Sequence, residues 1–226
     1  MKYYKAMNKD FSCRGFQYEI GGIYELPKDT VLVLGLNGFH FCDILANCFN
    51  YYSKSRCVIC EVEPLGNVIH DEHNNILVTD KIKIIRQLSN EEIEKEQYII
   101  QDGIEMVGFS AFYDCTNLKE INIPNSVTYI NYCAFCLCKS LEKITISNSV
   151  TYIDTYAFYN CTSLKSISIH NAFTYIGENT FYGCENLEKI YVPKNFDINV
   201  FNTHRINGKI KLLDKVEIVR IEKERK

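Results

Sequence analysis

The sequence of 226 residues has no tryptophan, no long apolar run and no strong excess of charge of either sign. A membrane-spanning helix needs roughly 18 consecutive apolar residues, so we expect no membrane association. A formal net charge of −3 argues against general electrostatic binding to nucleic acid, which we expect only through a protein partner. The chain opens with Met1–Lys5, which contains no apolar run and so predicts the absence of a secretory signal.

Nucleotide-binding loops are also missing. The apolar run Val31–Leu34, interpreted as a strand, is followed by Gly35 and Gly38 but by neither a Walker loop nor a G-x-G-x-x-G fingerprint. The 11 cysteines are an odd number, and without an export signal we interpret them as free thiols in a reducing cytoplasm. We therefore expect no cofactor and no metal. The 16 tyrosines and 13 phenylalanines predict a tyrosine-based aromatic surface.

An internal repeat of 23 residues dominates the second half of the chain. Phenylalanine recurs at this spacing (135 − 112 = 23, 158 − 135 = 23, 181 − 158 = 23). Cysteines, leucines and isoleucines form parallel columns: Cys115, Cys138, Cys161 and Cys184; Leu118, Leu141, Leu164 and Leu187; Ile121, Ile144, Ile167 and Ile190. One unit cannot bury its apolar side alone, so stacked units should align each column inside a coil. A fixed period of roughly 20–29 residues is typical of a leucine-rich solenoid.

Each repeat predicts two short strands joined by a turn. Leu118-x-x-Ile121-x-Ile123 predicts one strand with its apolar side chains turned inward, and Ser126–Ile130 predicts the second. Between them, Ala-Phe-x-x-Cys predicts a tight turn or a short helix. The whole pattern, N-S-V-T-Y-I-x-x-x-A-F-x-x-C-x-S-L-x-x-I-x-I, resembles the BspA-type leucine-rich repeats of bacteria, their phages and some protists. This resemblance implies a curved binding scaffold without catalytic chemistry, although many members are large exported surface proteins.

The fold class we expect is α+β, with four segments. These are a small α+β domain (1–88), a capping or linking helix (89–103), the leucine-rich repeat solenoid (104–193) and a C-terminal β cap (194–226). Ser89 and Glu92 have capping-box spacing for the helix. Strands are predicted at 56–62 and 81–86, a short helix from Asp43 to about Tyr51, and a closing hairpin from 208–213 and 216–221.

The first region carries a second resemblance. The residues Lys5-Ala6-x-Asn8-Lys9-Asp10-x-x-Cys13-Arg14-Gly15-Phe16, then Gly38-Phe39-His40-x-Cys42, are similar to an uncharacterised domain of phage and bacterial proteins. The similarity extends over about residues 3–92. It implies no activity, but it favours a phage origin and an intracellular role.

Chemistry-bearing residues are few, and each has a structural alternative. Cys57-x-x-Cys60 could hold zinc, but residues three apart on a strand point to opposite faces. Cys133 and Cys136 are interpreted as an exposed, oxidisable pair, and His70–His73 as a polar loop. Arg14, Tyr18, His40, Tyr51, Tyr52 and Glu61 or Glu63 faintly resemble an ADP-ribosyltransferase cradle, with buried backbone partners as the alternative.

The solenoid offers better-defined binding residues. Outward positions of the second strands would stack Tyr129, Tyr152 and Tyr175, and outward positions of the first strands include Lys143, Thr145, Ser168, His170, Lys189 and Tyr191. Tyr113, Tyr159 and Tyr182 form a further column on the turn. Such columns can be scaffold, but tyrosine is also enriched at binding hot spots.

Two hypotheses on function follow. The first is a non-catalytic protein–protein interaction module that binds another protein through the solenoid, for instance a phage-encoded inhibitor of a host defence protein. The alternative is a small ADP-ribosyltransferase-like enzyme in the first region, with the repeats selecting its target. No residue is assigned a catalytic role.

Overall fold

The computed structural model describes the chain except residue 35 and residues 51–55, 72–75, 170–174, 195, 202–204, 207–209, 212–215 and 222–226. The chain divides into two compact units, Met1–Gln101 and Asp102–Lys226. The first unit includes the segment 89–101, which the sequence analysis treats as a link. Strands dominate, and the described residues contain one α-helix.

The first unit is mostly antiparallel sheet. Its strands are β1 (Tyr3–Asn8), β2 (Ser12–Cys13), β3 (Phe16–Gln17), β4 (Ile23–Glu25), β5 (Phe39–Phe41), β6 (Cys57–Pro64), β7 (Val68–Asp71), β8 (Ile76–Thr79) and β9 (Lys81–Gln87). One sheet has the order β1–β6–β9–β4, another has the order β5–β8–β7, and β2 and β3 form a hairpin. The strands predicted at 56–62 and 81–86 are confirmed as β6 and β9.

Both faces of the β1–β6 pair are buried. One cluster includes Met7, Phe39 and Cys60, and the other includes Tyr4, Leu45 and Ile59. Because side chains alternate along a strand, neighbouring residues of β6 enter different clusters. This alternation decides which polar side chains of the first unit can meet.

Three sequence interpretations of this unit need correction. His70 and Asp71 lie in β7, where His70 pairs with Leu77, rather than in a polar loop; His73 lies outside the described residues. The predicted helix from Asp43 is a 3₁₀ helix, Leu45–Asn50. Val31–Leu34 forms no strand, and Val31 is 75% exposed. An apolar run forms a strand only where a neighbouring strand can pair with its backbone N–H and C=O groups.

The α-helix α1 (Asn90–Glu96) begins with the predicted capping box. The Ser89 hydroxyl accepts a hydrogen bond from the Glu92 backbone N–H at 3.2 Å, and the Glu92 carboxylate accepts one from the Ser89 N–H at 2.8 Å. These two bonds satisfy donors that a helix start leaves unpaired. Glu92 also binds the Arg86 guanidinium at 2.7 Å, and these hydrogen bonds lower the pKa of Glu92 to about 2.

The second unit is a solenoid of about four turns with two parallel sheets. Its strands are β10 (Met106–Val107), β11 (Glu120–Asn122), β12 (Tyr129–Ile130), β13 (Lys143–Thr145), β14 (Tyr152–Ile153), β15 (Ser166–Ser168), β16 (Tyr175–Ile176), β17 (Lys189–Pro193), β18 (Arg205–Ile206), β19 (Ile210–Lys211) and β20 (Glu217–Ile221). One sheet has the order β11–β13–β15–β17–β20 and the other has the order β10–β12–β14–β16. Up to β17 every pairing joins residues 23 apart, such as Ile121 with Ile144 and Tyr129 with Tyr152. The 23-residue solenoid is therefore confirmed.

The Ala-Phe-x-x-Cys segment is a tight backbone turn that forms hydrogen bonds with the same segment of the next repeat. The N–H of Phe112 donates to the Ala134 carbonyl at 2.8 Å, and the N–H of Phe135 donates to the Ala157 carbonyl at 2.8 Å. The rings of Phe112, Phe135, Phe158 and Phe181 are fully buried and stack in nearly parallel planes, with centroids 5.1–5.8 Å apart. Backbone and side chains thus repeat the same contacts at each turn.

The cysteine column carries hydrogen bonds as well as packing. The buried thiols of Cys138, Cys161 and Cys184 lie 3.0–3.1 Å from the carbonyl oxygens of Phe112, Phe135 and Phe158. A thiol is a small apolar group with a weak donor. Cysteine therefore fills the interior and also gives a carbonyl of the preceding turn a second hydrogen bond, beside the one from a backbone N–H.

Two positions in each turn have left-handed backbone. The first is occupied by Ser110, Cys133, Tyr156 and Asn179, with φ between 52° and 59°, and the second by Asp114, Leu137, Asn160 and Gly183. Only the last of these is glycine. A Cβ atom built on Gly183 would lie 1.8 Å from Asn160 Oδ1, so a side chain here would require the Asn160 amide to move.

The C-terminal β cap is confirmed, but its pairing is not the predicted one. The strand β20 adds in parallel to β17, pairing Lys189 with Glu217, rather than to β19, the described part of the predicted 208–213 strand. The hairpin instead joins β18 to β19. The free edge of β17 offers unpaired backbone groups, and β20 satisfies them. Phe201, 20 residues after Phe181, is fully buried and packs beyond the phenylalanine stack, with its ring tilted by 58° to that of Phe181 and the centroids 6.5 Å apart.

Candidate functional site

Tyr129, Tyr152 and Tyr175 form the predicted stack, which we call the tyrosine ladder. Successive ring centroids are 4.5 Å apart, with interplanar angles of 10° and 21°. The spacing follows from the parallel pairing of β12, β14 and β16, because neighbouring strands lie about 4.8 Å apart. Tyr175 is the most exposed of the three, at 40%. The ladder is a rigid aromatic strip on the second sheet.

The hydroxyl of Tyr129 anchors one end of the ladder. It donates a hydrogen bond to the Asp154 carboxylate at 3.0 Å. Burial, then this bond and the charge of Asp154, raise the pKa of Tyr129; burial also raises the pKa of Tyr152. Both phenols are therefore neutral at physiological pH; the single O–H of Tyr129 is already donated to Asp154, and the hydroxyl of Tyr152 can act as a donor or an acceptor.

The other predicted binding residues that the structure describes lie on the first sheet. Lys143 and Thr145 of β13 are exposed, and Ser168 of β15 and Tyr191 of β17 are paired neighbours. Lys189 lies 3.5 Å from the Glu217 carboxylate. His170 lies outside the described residues. The structure therefore divides the predicted residues between two sheets, with the tyrosine ladder on one and this polar row on the other.

A second aromatic surface lies on the turns, and sequence reasoning identified only part of it. Two thiols and four tyrosine rings line a shallow depression of about 440 Å³: Tyr132, Cys133, Cys136, Tyr156, Tyr159 and Tyr182. Tyr156 is nearly perpendicular to Tyr132 and to Tyr159, and Tyr159 stacks on Tyr182 with centroids 5.2 Å apart. Tyr132 and Tyr156 occupy different positions of the 23-residue repeat. The repeat alone therefore did not predict that their rings come into contact.

The thiols of this depression are not the exposed pair that the sequence suggested. Cys136 is only 5% exposed, and Cys133 is half-buried. Burial raises the pKa of Cys133, and it raises that of Cys136 to about 12, with the neighbouring thiol and Asp114 adding to it. Reactive cysteines have lowered pKa values, so these thiols are poor nucleophiles.

In the first unit, Arg14 and His40 come together as a pair. An Arg14 guanidinium nitrogen lies 3.3–3.4 Å from both ring nitrogens of His40, and the Lys5 ammonium donates to the His40 carbonyl at 2.8 Å. Burial, followed by the charges of Arg14 and Lys5, lowers the pKa of His40 to about 4. Lys5 is a buried lysine that no sequence signal revealed, and burial lowers its pKa.

Of the remaining residues of the transferase hypothesis that the structure describes, Tyr18 lies near this pair, with its ring centroid 5.4 Å from the Lys5 ammonium, whereas Glu61 does not join it. Tyr18 packs in the core that contains Cys60, whereas Glu61, one residue further along β6, binds Arg86 at 3.0 Å. Successive residues of a strand face opposite ways, so Glu61 points away from the core that contains Tyr18. Tyr51 and Tyr52 lie outside the described residues.

Cys57 and Cys60 enter different clusters, as alternation predicts. In the described residues, no group of three or more His, Cys, Asp or Glu could hold a metal ion. The same part of the chain contains no helix long and apolar enough to cross a bilayer.

Comparison with known proteins confirms both sequence resemblances. Residues 83–207 match the BspA-type leucine-rich repeat region, in six copies, and residues 1–96 match a domain of unknown function, DUF7666. Similar solved structures include a leucine-rich repeat protein from Bacteroides ovatus (31% identity, TM-score 0.44) and the leucine-rich repeat protein of T. pallidum (27%, 0.43). They cover 52% and 54% of this chain, which spans 28% and 55% of theirs. No curated protein matches the sequence.

Proposed function

This chain belongs to the BspA-type leucine-rich repeat family, and on that premise we propose that it is a non-catalytic module that binds another protein through its solenoid. The observation that carries the proposal is the tyrosine ladder. Three stacked rings on consecutive strands present a continuous aromatic strip with hydroxyl donors. Tyrosine is enriched among residues that dominate binding energy.

Rigidity supports this use of the ladder. Association costs free energy whenever mobile side chains must be ordered, at about 0.5–1.5 kcal/mol for each flexible one. The ladder rings are already held by stacking, and Tyr129 is further held by its bond to Asp154. A partner would therefore bind side chains that are already ordered in the folded protein, and binding would lose little side-chain entropy.

The experiment is capture of a partner from host lysate, followed by calorimetry. The double variant Tyr152→Ala, Tyr175→Ala should weaken binding at least tenfold, because hot-spot truncations cost about 2 kcal/mol or more. Tyr113→Ala is the matched control, since Tyr113 is 47% exposed on the turn and lies outside the ladder. Equal affinity of the double variant and the control would contradict the proposal.

The finer proposal concerns the setting. Residues 1–96, which match DUF7666, are also the region with the phage-like resemblance. On that resemblance we propose a phage-encoded protein that acts in the cytoplasm on a host defence protein. Expression of the chain in bacteria should then suppress a defence phenotype, and the Tyr152/Tyr175 double variant should not. Capture of only cell-envelope proteins would contradict this setting.

A further inference from the structure

The aromatic depression on the turns differs from the tyrosine ladder in its shape. In the ladder all rings are stacked, so mainly edges and one outer face are available. In the depression Tyr156 stands at 77° to both Tyr132 and Tyr159. Perpendicular rings around one space can direct both edges and faces toward it, and the ring face carries the negative end of the aromatic quadrupole.

The charged side chains near the depression are acidic. None of its lining residues is basic. Asp154 contributes to the raised pKa of Cys133 after burial, and Asp114 contributes to that of Cys136 after burial and the neighbouring thiol. Two carboxylates therefore act on the two thiols from the turns on either side.

The floor of the depression is apolar rather than reactive. Cys136 is buried and Cys133 half-buried, so their sulfurs provide a polarizable surface. Asn179, on the following turn, adds an amide that can accept or donate hydrogen bonds. Aromatic walls, an amide and nearby carboxylates are what a planar cation with several N–H donors requires.

We propose that this depression binds the guanidinium group of an arginine side chain presented by a protein partner. The proposal rests on the proposed function, because the arginine belongs to the protein that the solenoid binds. The guanidinium would lie against a tyrosine face, with its N–H groups directed toward Asn179 and the Asp114 carboxylate; Asp154, which already accepts bonds from Tyr129 and the Thr155 N–H, would contribute only its charge. Arginine fits better than lysine because its planar group stacks on rings and its donors are fixed in a fork.

The test uses small probes and the whole chain. Nα-acetyl-arginine amide, titrated under reducing conditions, should shift the backbone amide resonances of Tyr132, Cys133 and Tyr156 with a millimolar dissociation constant. Nα-acetyl-citrulline amide has nearly the same shape without the charge and should bind at least about fivefold more weakly. Added salt should weaken the arginine probe further.

Matched variants test the aromatic and electrostatic parts. Tyr159→Leu keeps the bulk but removes the ring, and should weaken the arginine probe at least about fivefold, whereas Tyr159→Phe keeps the ring face and should bind normally. Asp114→Asn removes one charge at an exposed left-handed position that asparagine tolerates, and should weaken the probe about two- to threefold.

Each contrary result overturns the assignment. Equal binding of the citrulline probe, equal binding of Nα-acetyl-lysine amide, or normal binding by Tyr159→Leu would each exclude an arginine site. Partner capture separates this inference from the proposed function. If Tyr159→Leu leaves capture unchanged while the Tyr152/Tyr175 double variant abolishes it, the ladder binds the partner and the arginine assignment fails.

Discussion

The two units of this protein use cysteine in different ways. In the solenoid, Cys138, Cys161 and Cys184 occupy one column, and each bonds to a carbonyl of the preceding turn. In the first unit, Cys13 and Cys60 belong to one core cluster, while Cys42 and Cys48 belong to another. In the repeated fold the same cysteine contact recurs at each turn. In the unit without repeats, the buried cysteines pack in different surroundings.

The same difference governs the backbone. Solenoid strands up to β17 pair with partners 23 residues away, whereas β1 pairs with β6 at separations of 49 to 59 residues (57 − 8 = 49, 62 − 3 = 59). In a solenoid each turn contacts only its neighbours, so damage should remain near its source. The predictions below test how far this contrast holds.

The largest effect should follow Phe158→Ala. The ring is fully buried between Phe135 and Phe181, and its removal should destabilise the solenoid by about 3–5 kcal/mol. Hydrogen exchange should lose protection in the neighbouring turns first, while the amides of β1 and β6 stay protected. Equal loss in both units would show that they unfold as one.

Cys161→Ala should cost less, about 1–3 kcal/mol, because it removes buried packing and the thiol hydrogen bond to the Phe135 carbonyl, which keeps the Cys138 N–H as its other donor. The control in the first unit is Cys60→Ala, where packing is the main loss. Denaturant titration should give the solenoid variant the larger loss by about 1 kcal/mol. A reversed order would mean that the thiol bonds contribute nothing.

His40 should make the first unit sensitive to acid. Its folded-state pKa is lowered to about 4, so the unfolded chain takes up a proton near the usual value of 6.5 while the folded chain does not. This contribution to stability is present above pH 6.5 and is lost as pH falls toward 4. The loss should not exceed about 1 kcal/mol after allowance for solvent screening. His40→Gln should flatten this pH dependence in denaturant titrations; an unchanged slope would contradict the assignment.

The smallest effect should be a gain. Leu137 has left-handed backbone with φ of 63°, and asparagine already occupies the equivalent position 160. Leu137→Asn should stabilise the solenoid by about 0.5–1 kcal/mol, since asparagine tolerates this conformation. Gly183→Asn at the equivalent position of the next turn should instead destabilise it, because its Cβ would meet the Asn160 amide. Thermal unfolding would show both changes, and a gain in both variants would contradict the steric argument.

Most of the solenoid followed from residue types at a fixed interval. The interior phenylalanines, the thiol column and the stacking of Tyr129, Tyr152 and Tyr175 all appear where the interval predicts. The depression did not follow, because Tyr132 and Tyr156 belong to different columns and meet only when the turns coil. In the first unit, alternation correctly placed Cys57 and Cys60 on opposite faces, but it gave no sign that Lys5 is buried.

By itself the sequence determined the period, the inward-facing columns and the helix start at Ser89, because each depends on neighbours at short or fixed separations. Only the tertiary structure decided that β20 joins β17 in parallel, that Phe201 packs against Phe181 at the end of the stack, and that Glu61 binds Arg86 away from Tyr18. These contacts join residues far apart in the sequence. They depend on which strand edge, apolar surface or charged group still lacks a partner once the rest of the chain has folded. No local pattern carries that information.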